Sequence, residues 1–128
     1  MINFNKESVW DLKPTDTKNV IKEVNGLLVE GETVLSAFKT IRDQLLFTNK
    51  RIISIDVQGI TGKRKSFSSL PYSKIQFFSI QTVGFAEIFP DSELVIWFSN
   101  GFKATFEFKG NVDIGAIGRM ISEYALEN

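Results

Sequence analysis

The dipeptide Asn100-Gly101 constrains this chain more than any other feature, because it separates two runs, residues 93–99 and 102–108, dense in β-branched and aromatic side chains. Asn and Gly both tolerate positive φ, and such a pair between such runs is the strongest short-range signal for an antiparallel hairpin. A two-residue loop sets Ser99 opposite Phe102, Phe98 opposite Lys103, Trp97 opposite Ala104, Ile96 opposite Thr105 and Val95 opposite Phe106. Directly opposed side chains share a face of the sheet. One face then holds Val95, Trp97, Ala104, Phe106 and Phe108, a good core. Leu94, Ile96 and Phe98 point the other way, against Lys103, Thr105 and Glu107. Three large apolar side chains in an outward row need a cover, since burying each is worth about 1.5–3 kcal/mol. Two covers are open: a second copy of the chain, which makes Leu94, Ile96 and Phe98 a subunit interface, or the N-terminal segment with Trp10 and Leu12 folded back.

The same pattern recurs upstream. Asn49-Lys50 joins residues 44–48 to 51–57, setting Phe47 opposite Ile52 and Leu46 opposite Ile53, so this ribbon is apolar on both faces. Further strands are predicted at residues 33–41, 65–70 and 75–83, punctuated by Arg42-Asp43, Gln58-Gly59, Thr61-Gly62 and Pro71, with an irregular loop over 84–92. Asn111 is placed to cap a helix over residues 111–126, with Ile114, Ile117, Ile121 and Tyr124 along one stripe. That helix lacks the basic face of interfacial helices, which makes it a core cap. Before Gly31, the spacing of Val20, Val24, Leu27 and Leu28 behind Asp16 predicts another helix. With 128 residues there is room for one core. The reading is a mainly β domain over residues 31–128, a bent seven-stranded antiparallel barrel closed by a C-terminal helix, with a helical extension over residues 1–30 in the same unit.

Composition removes most chemistry. The chain has no Cys, which rules out disulfides and thiolate nucleophiles, and no His, which rules out imidazole acid–base catalysis and the usual zinc sites. Asp91 with Glu93, and Glu30 with Glu32, are the nearest approach to paired carboxylates, and both pairs read as solvated loop residues. No calcium loop or phosphate-loop motif occurs. The expectation is a non-enzymatic chain without cofactor or metal. Fifteen basic and fifteen acidic residues cancel, which argues against a nucleic-acid binder and against strong global attraction to an anionic membrane. No apolar run suits a signal peptide or a membrane-spanning helix, so the expected location is the cytoplasm.

The stretch over residues 42–75 carries a resemblance. Its elements are Arg42-Asp43, the run Phe47-Thr48-Asn49-Lys50-Arg51, Asp56, Gln58-Gly59, Gly62-Lys63 and Leu70-Pro71-Tyr72 with Ile75. Thr82 with Gly84, and residues 92–99, continue it. Together they are similar to the bacterial pleckstrin-homology-like (PH-like) family, and the similarity runs from about Leu27 to the final helix. The resemblance implies a seven-stranded bent barrel with a C-terminal helix. It also implies an assembly or binding module, several relatives forming closed homo-oligomeric rings, without general phosphoinositide recognition. Residues 85–91 are less acidic than the family's usual pattern. The leading functional expectation is therefore self-association, with another protein as a further class of partner.

Basic residues supply the alternative. Lys39 and Arg42 bracket the first hairpin, where the resemblance implies that phosphoinositide-binding members of the wider superfamily place a Lys and an Arg. Lys63, Arg64 and Lys65 form a cluster in a glycine-flanked loop. These five residues could contact an anionic lipid headgroup or small anion. The plainer account is a solvated turn with Arg42 paired to Asp43.

Overall fold

In the computed structural model, which describes residues 8–82 and 91–126, the Asn-Gly turn closes one residue wider than a two-residue loop. The Phe98 N–H donates to the Phe102 carbonyl at 2.8 Å and the Gly101 N–H to the Phe98 carbonyl at 2.9 Å. Ser99, Asn100 and Gly101 therefore make the loop, and Gly101 takes φ 89°, the left-handed conformation that finishes a three-residue turn. Leu94 now opposes Phe106 and Ile96 opposes Ala104. A one-residue slip moves a strand's whole set of side chains to the other face. Leu94 and Ile96 are fully buried and Phe98 is 5% exposed, all within their own chain's core, which corrects the expected outward stripe. The observed register buries all three together with Ala104, Phe106 and Phe108, and sends Val95 and Trp97 outward. An Asn-Gly pair satisfies either turn, so the dipeptide alone does not choose between them.

All seven expected strands are present, and an eighth joins them. β1 (Ser8–Thr15), β2 (Val34–Lys39), β3 (Gln44–Thr48), β4 (Arg51–Gln58), β5 (Arg64–Pro71), β6 (Ile75–Thr82), β7 (Ser92–Phe98) and β8 (Lys103–Phe108) form one sheet in the order β5-β4-β3-β2-β1-β8-β7-β6. β1 runs antiparallel to β2 but parallel to β8, so the sheet is mixed and not purely antiparallel. Its register shifts between Val9 and Leu12, around Asp11 at φ 60°. Both Val9 and Leu12 therefore face the core although they lie three residues apart. The Asn49-Lys50 hairpin pairs Phe47 with Ile52 and Leu46 with Ile53, as expected.

The expected N-terminal helix is absent. Short 3-10 turns at Thr17–Asn19 and Lys22–Gly26 take its place. Asp16 does cap, accepting from the Lys18 N–H at 2.9 Å, but Val20 is extended and ends the turn. Val20, Ile21 and Val24 are β-branched and Asn25-Gly26 are poor helix formers. The Gln44 side chain then takes the segment's backbone for itself, accepting from Ile21 N–H and donating to the Asn19 carbonyl.

This segment covers half of the sheet's outer surface. Leu46, Ile53, Ile55 and Ala37 face it, and Val24 is buried against them. Glu32, expected to be solvated, is 8% exposed and locks the cover down. It accepts from the Arg51 guanidinium at 2.9 Å, the Thr48 hydroxyl at 2.7 Å and the Val29 N–H at 3.0 Å. Burial alone pushes the Glu32 carboxyl up, but these hydrogen bonds outweigh it and hold the group at about 2.

α1 (Ile114–Ala125) packs its buried side against the Tyr72–Lys74 turn and β6, its other side being exposed. Its cap is Asp113, two residues later than expected, accepting from the Ala116 N–H at 3.0 Å. Ile117 and Ile121 enter the core, Tyr124 stacks on Tyr72 at 5.4 Å, and Gly118 lets the helix sit against Ile80. The expected irregular loop at 84–92 and the departure noted at 85–91 lie largely outside the described residues.

Candidate functional site

Two hairpin loops meet at one end of the barrel. The β2–β3 loop, residues 40–43, is closed by the Thr40 N–H donating to the Asp43 carbonyl, with the Thr40 hydroxyl accepting from Asp43 N–H at 2.9 Å. The β4–β5 loop, residues 59–63, turns at Gly59 and Gly62, both at positive φ. The Arg42 guanidinium donates to the Gly59 carbonyl and so ties the two loops together. Arg42 thus does not pair with Asp43. The Asp43 carboxylate instead accepts from the Val57 N–H at 3.0 Å, and burial pushes it above the ordinary carboxylate range against that bond.

Each loop carries a fully exposed isoleucine, Ile41 on one and Ile60 on the other. Around them lie four of the five basic residues singled out from the sequence. Lys39 and Arg42 flank Ile41, while Lys63 and Arg64 follow Ile60, and all four are exposed. Lys65 departs from the group: its ammonium pairs with Glu23 at 3.0 Å, on the covering segment.

Behind the loops an open cleft of about 890 Å³ is lined by Trp10, Lys13, Lys39, Arg42, Asp56 and Lys109, among others. Lys63, Arg64 and Lys65 are not part of its lining. Lys13 stands directly opposite Lys39 in the β1–β2 register. Like charges directly opposed across two strands are unfavourable, and neither lysine has a carboxylate partner among the described residues. This pair escaped the sequence reading because β1 did. Ile60 left a readable trace, an isoleucine between two glycines in a turn.

The carboxylates singled out from the sequence do not converge on one site. Asp91 is tied to Lys109 at 3.7 Å and to the Gly110 N–H, while Glu93 lies apart on the sheet's outer face. Among the described residues no group of three or more His, Cys, Asp or Glu side chains could hold a metal ion, and no helix is long and apolar enough to cross a membrane.

A bent sheet closed by one C-terminal helix, with its loops gathered at one end, defines the pleckstrin-homology class of fold. The chain belongs to the bacterial PH domain family, whose model matches residues 3–125. Among curated proteins it is 49% identical over 83 residues to the uncharacterized protein YjqA of Bacillus subtilis (strain 168), a match spanning 65% of each chain and thus just under two thirds of YjqA. It is 34% identical over 103 residues to the uncharacterized protein YozO of the same organism, covering 80% of this chain and 87% of YozO. Among solved structures it is similar to a DUF1696-family protein with a pleckstrin-homology domain from Shewanella loihica PV-4, with TM-score 0.77, 31% identity, and 91% and 99% of the two chains covered. A pleckstrin-homology domain from Shewanella amazonensis SB2B gives TM-score 0.66 at 36% identity, covering 88% and 90%.

Proposed function

We propose that this chain is a non-catalytic module that docks reversibly onto an anionic bilayer surface through its paired loops. The observation that supports this most is Ile41 and Ile60, fully exposed on two loops bridged by Arg42 and flanked by Lys39, Lys63 and Arg64. Exposed large apolar side chains on loop tips have no role in the core. In a bilayer's interfacial region each contributes up to about 1.5–3 kcal/mol, and each nearby Lys or Arg adds about 1 kcal/mol against anionic lipid. Two isoleucines and a few cations make a weak, salt-sensitive contact and not a permanent anchor. The overall charge of zero does not oppose this, because the field within a Debye length is set by the loop end itself. Lys13 and Lys39 behind the loops offer cations to a headgroup phosphate.

Co-sedimentation with vesicles tests the reading. The chain is expected to pellet with phosphatidylcholine vesicles containing phosphatidylserine, and far less with phosphatidylcholine alone or at high salt. Ile41→Ser with Ile60→Ser should abolish most of that binding. Absence of wild-type binding, or unchanged binding by the double variant, refutes it.

A further inference from the structure

The sheet ends in two edge strands, and the chain treats them differently. β6 has α1 packed against it, with Gly118 on Ile80. β5 pairs with β4 through eight consecutive residue pairs without a bulge, and among the described residues no strand takes its other side. The direction of its backbone groups follows from the neighbouring hairpin. The Thr40 N–H closes the β2–β3 loop on the Asp43 carbonyl, and the Val57 N–H donates to the Asp43 carboxylate. Backbone groups alternate in direction along a strand, so odd-numbered residues of β4 turn theirs towards β3 and even-numbered ones towards β5. Ser66, Ser68 and Leu70, the partners of Asp56, Ser54 and Ile52, are then the residues bonded to β4. Lys65, Phe67 and Ser69 turn their N–H and C=O groups away from the sheet, where no hydrogen bond among the described residues takes them. Pro71 stands in the same phase and has no N–H to offer. A regular edge with several free donors and acceptors is a template for one more strand.

The chemistry beside this edge selects what that strand carries. Residues 63–74 hold Lys63, Arg64, Lys65 and Lys74 and no Asp or Glu. Lys65 is paired with Glu23, whereas Lys63, Arg64 and Lys74 have no ion-pair partner among the described residues. Next to the end of β5 lies a cleft of about 440 Å³, walled by Ser68, Leu70 and Pro71 on one side and by Phe98 and Phe102 on the other. Lys74 lines it too, and no carboxylate does. We infer that β5 takes an extended, acidic segment of a partner polypeptide as a ninth strand. A large apolar side chain of that segment sits between Leu70 and Phe102, and an Asp or Glu beside it pairs with Lys74. Backbone bonds to Lys65, Phe67 and Ser69 supply affinity, while the cleft and Lys74 supply the choice of sequence. The β5 of a second copy does not suit this edge, since in either direction it sets cations against cations. Ile41 and Ile60 stand apart from the cleft, because the β4–β5 loop precedes β5 and the cleft adjoins its last residues.

Panning the full chain against a phage library of random nonapeptides, then titrating an enriched peptide by fluorescence anisotropy, tests this. Enriched peptides are expected to carry an Asp or Glu and a large apolar residue among β-branched neighbours. N-methylating such a peptide at alternate residues should abolish binding in one phase and leave it unchanged in the other. Lys74→Glu should weaken binding on the order of tenfold or more. Ser69→Pro, which removes an outward N–H and leaves the ladder to β4, should weaken it as well, with circular dichroism melts confirming the fold. If Ser69→Pro fails to fold, the N-methylated peptides decide the same point on the unaltered chain. No enrichment, enriched peptides without acidic residues, equal behaviour of the two N-methylation phases, or binding indifferent to Lys74→Glu each overturn the inference. So does binding of a peptide spanning residues 63–74, which would make a second copy the occupant. Ile41→Ser with Ile60→Ser should bind the peptide as the wild type does, so the loop-end reading and this one fail separately. Loss of peptide binding in that variant would move the contact to the loops and overturn the inference too.

Discussion

The two halves of the sheet's outer surface are built from the same fold and treated in opposite ways. Over β2 to β5 the outward residues Leu46, Ile53 and Ile55 are aliphatic and the chain's own residues 17–29 lie on them, clamped by Glu32 and Arg51. Over β6 to β8 the outward residues are Phe77, Trp97, Lys103, Glu93 and Glu107, and among the described residues no element lies across them. Aliphatic side chains with no polar handle must be hidden permanently. Aromatic and charged ones can be wet in one state and covered in another. The difference separates a face that serves stability from one available for exchange.

The contrast breaks most visibly at the covered half. Ile53→Ala should cost about 2–4 kcal/mol in denaturant unfolding, because it leaves a cavity between the sheet and its cover. Next comes the clamp. Glu32→Gln should lose on the order of 2–3 kcal/mol at neutral pH. Glu32 is held at about 2 in the fold, below its unfolded value of 4.5, so its contribution is complete above pH 4.5 and lost as pH falls towards 2. Stability of the wild type should therefore drop across that window more than that of Glu32→Gln. A parallel acid loss in both proteins would show that the clamp is not what Glu32 supplies. On the open half, Phe77→Ser should change unfolding by less than about 1 kcal/mol, because the ring is half exposed. A large stability loss there would mean the open face is core after all. Smallest of all, Lys65→Met should leave the melting midpoint unchanged within error, since its pair with Glu23 is solvent-washed.

How much of this was legible follows from the physics of each signal. The Asn49-Lys50 ribbon was readable because its loop has two residues and both pairings follow from that. Asn100-Gly101 marked the hairpin but not its register, since the decisive residue, Ser99, joins the loop without any signature of its own. β1 was invisible: the bulge at Asp11 puts the inward Val9 and Leu12 three residues apart, a spacing that does not alternate as a strand should. Helical spacing in residues 20–28 was real but reported one buried side, and Gln44 and the β-branched residues decided the backbone. For the candidate site, the charges of Lys39, Arg42, Lys63 and Arg64 were plain. Their gathering at one end depends on the bond from Arg42 to Gly59, and Lys13 joins only through the unseen strand.

The place of β1 has a consequence for how the chain is made. It is made before β2 to β7, yet one of its two neighbours, β8, follows all of them, and Val9 lies 97 positions before its partner Phe106. During synthesis β1 can pair with β2 but keeps an open edge until the final hairpin emerges. Such a long loop closure is slow, and an unpaired edge in the meantime invites contact with other chains. Pro14, which lacks an N–H, and the kink at Asp11 both make that edge a poor template while it waits.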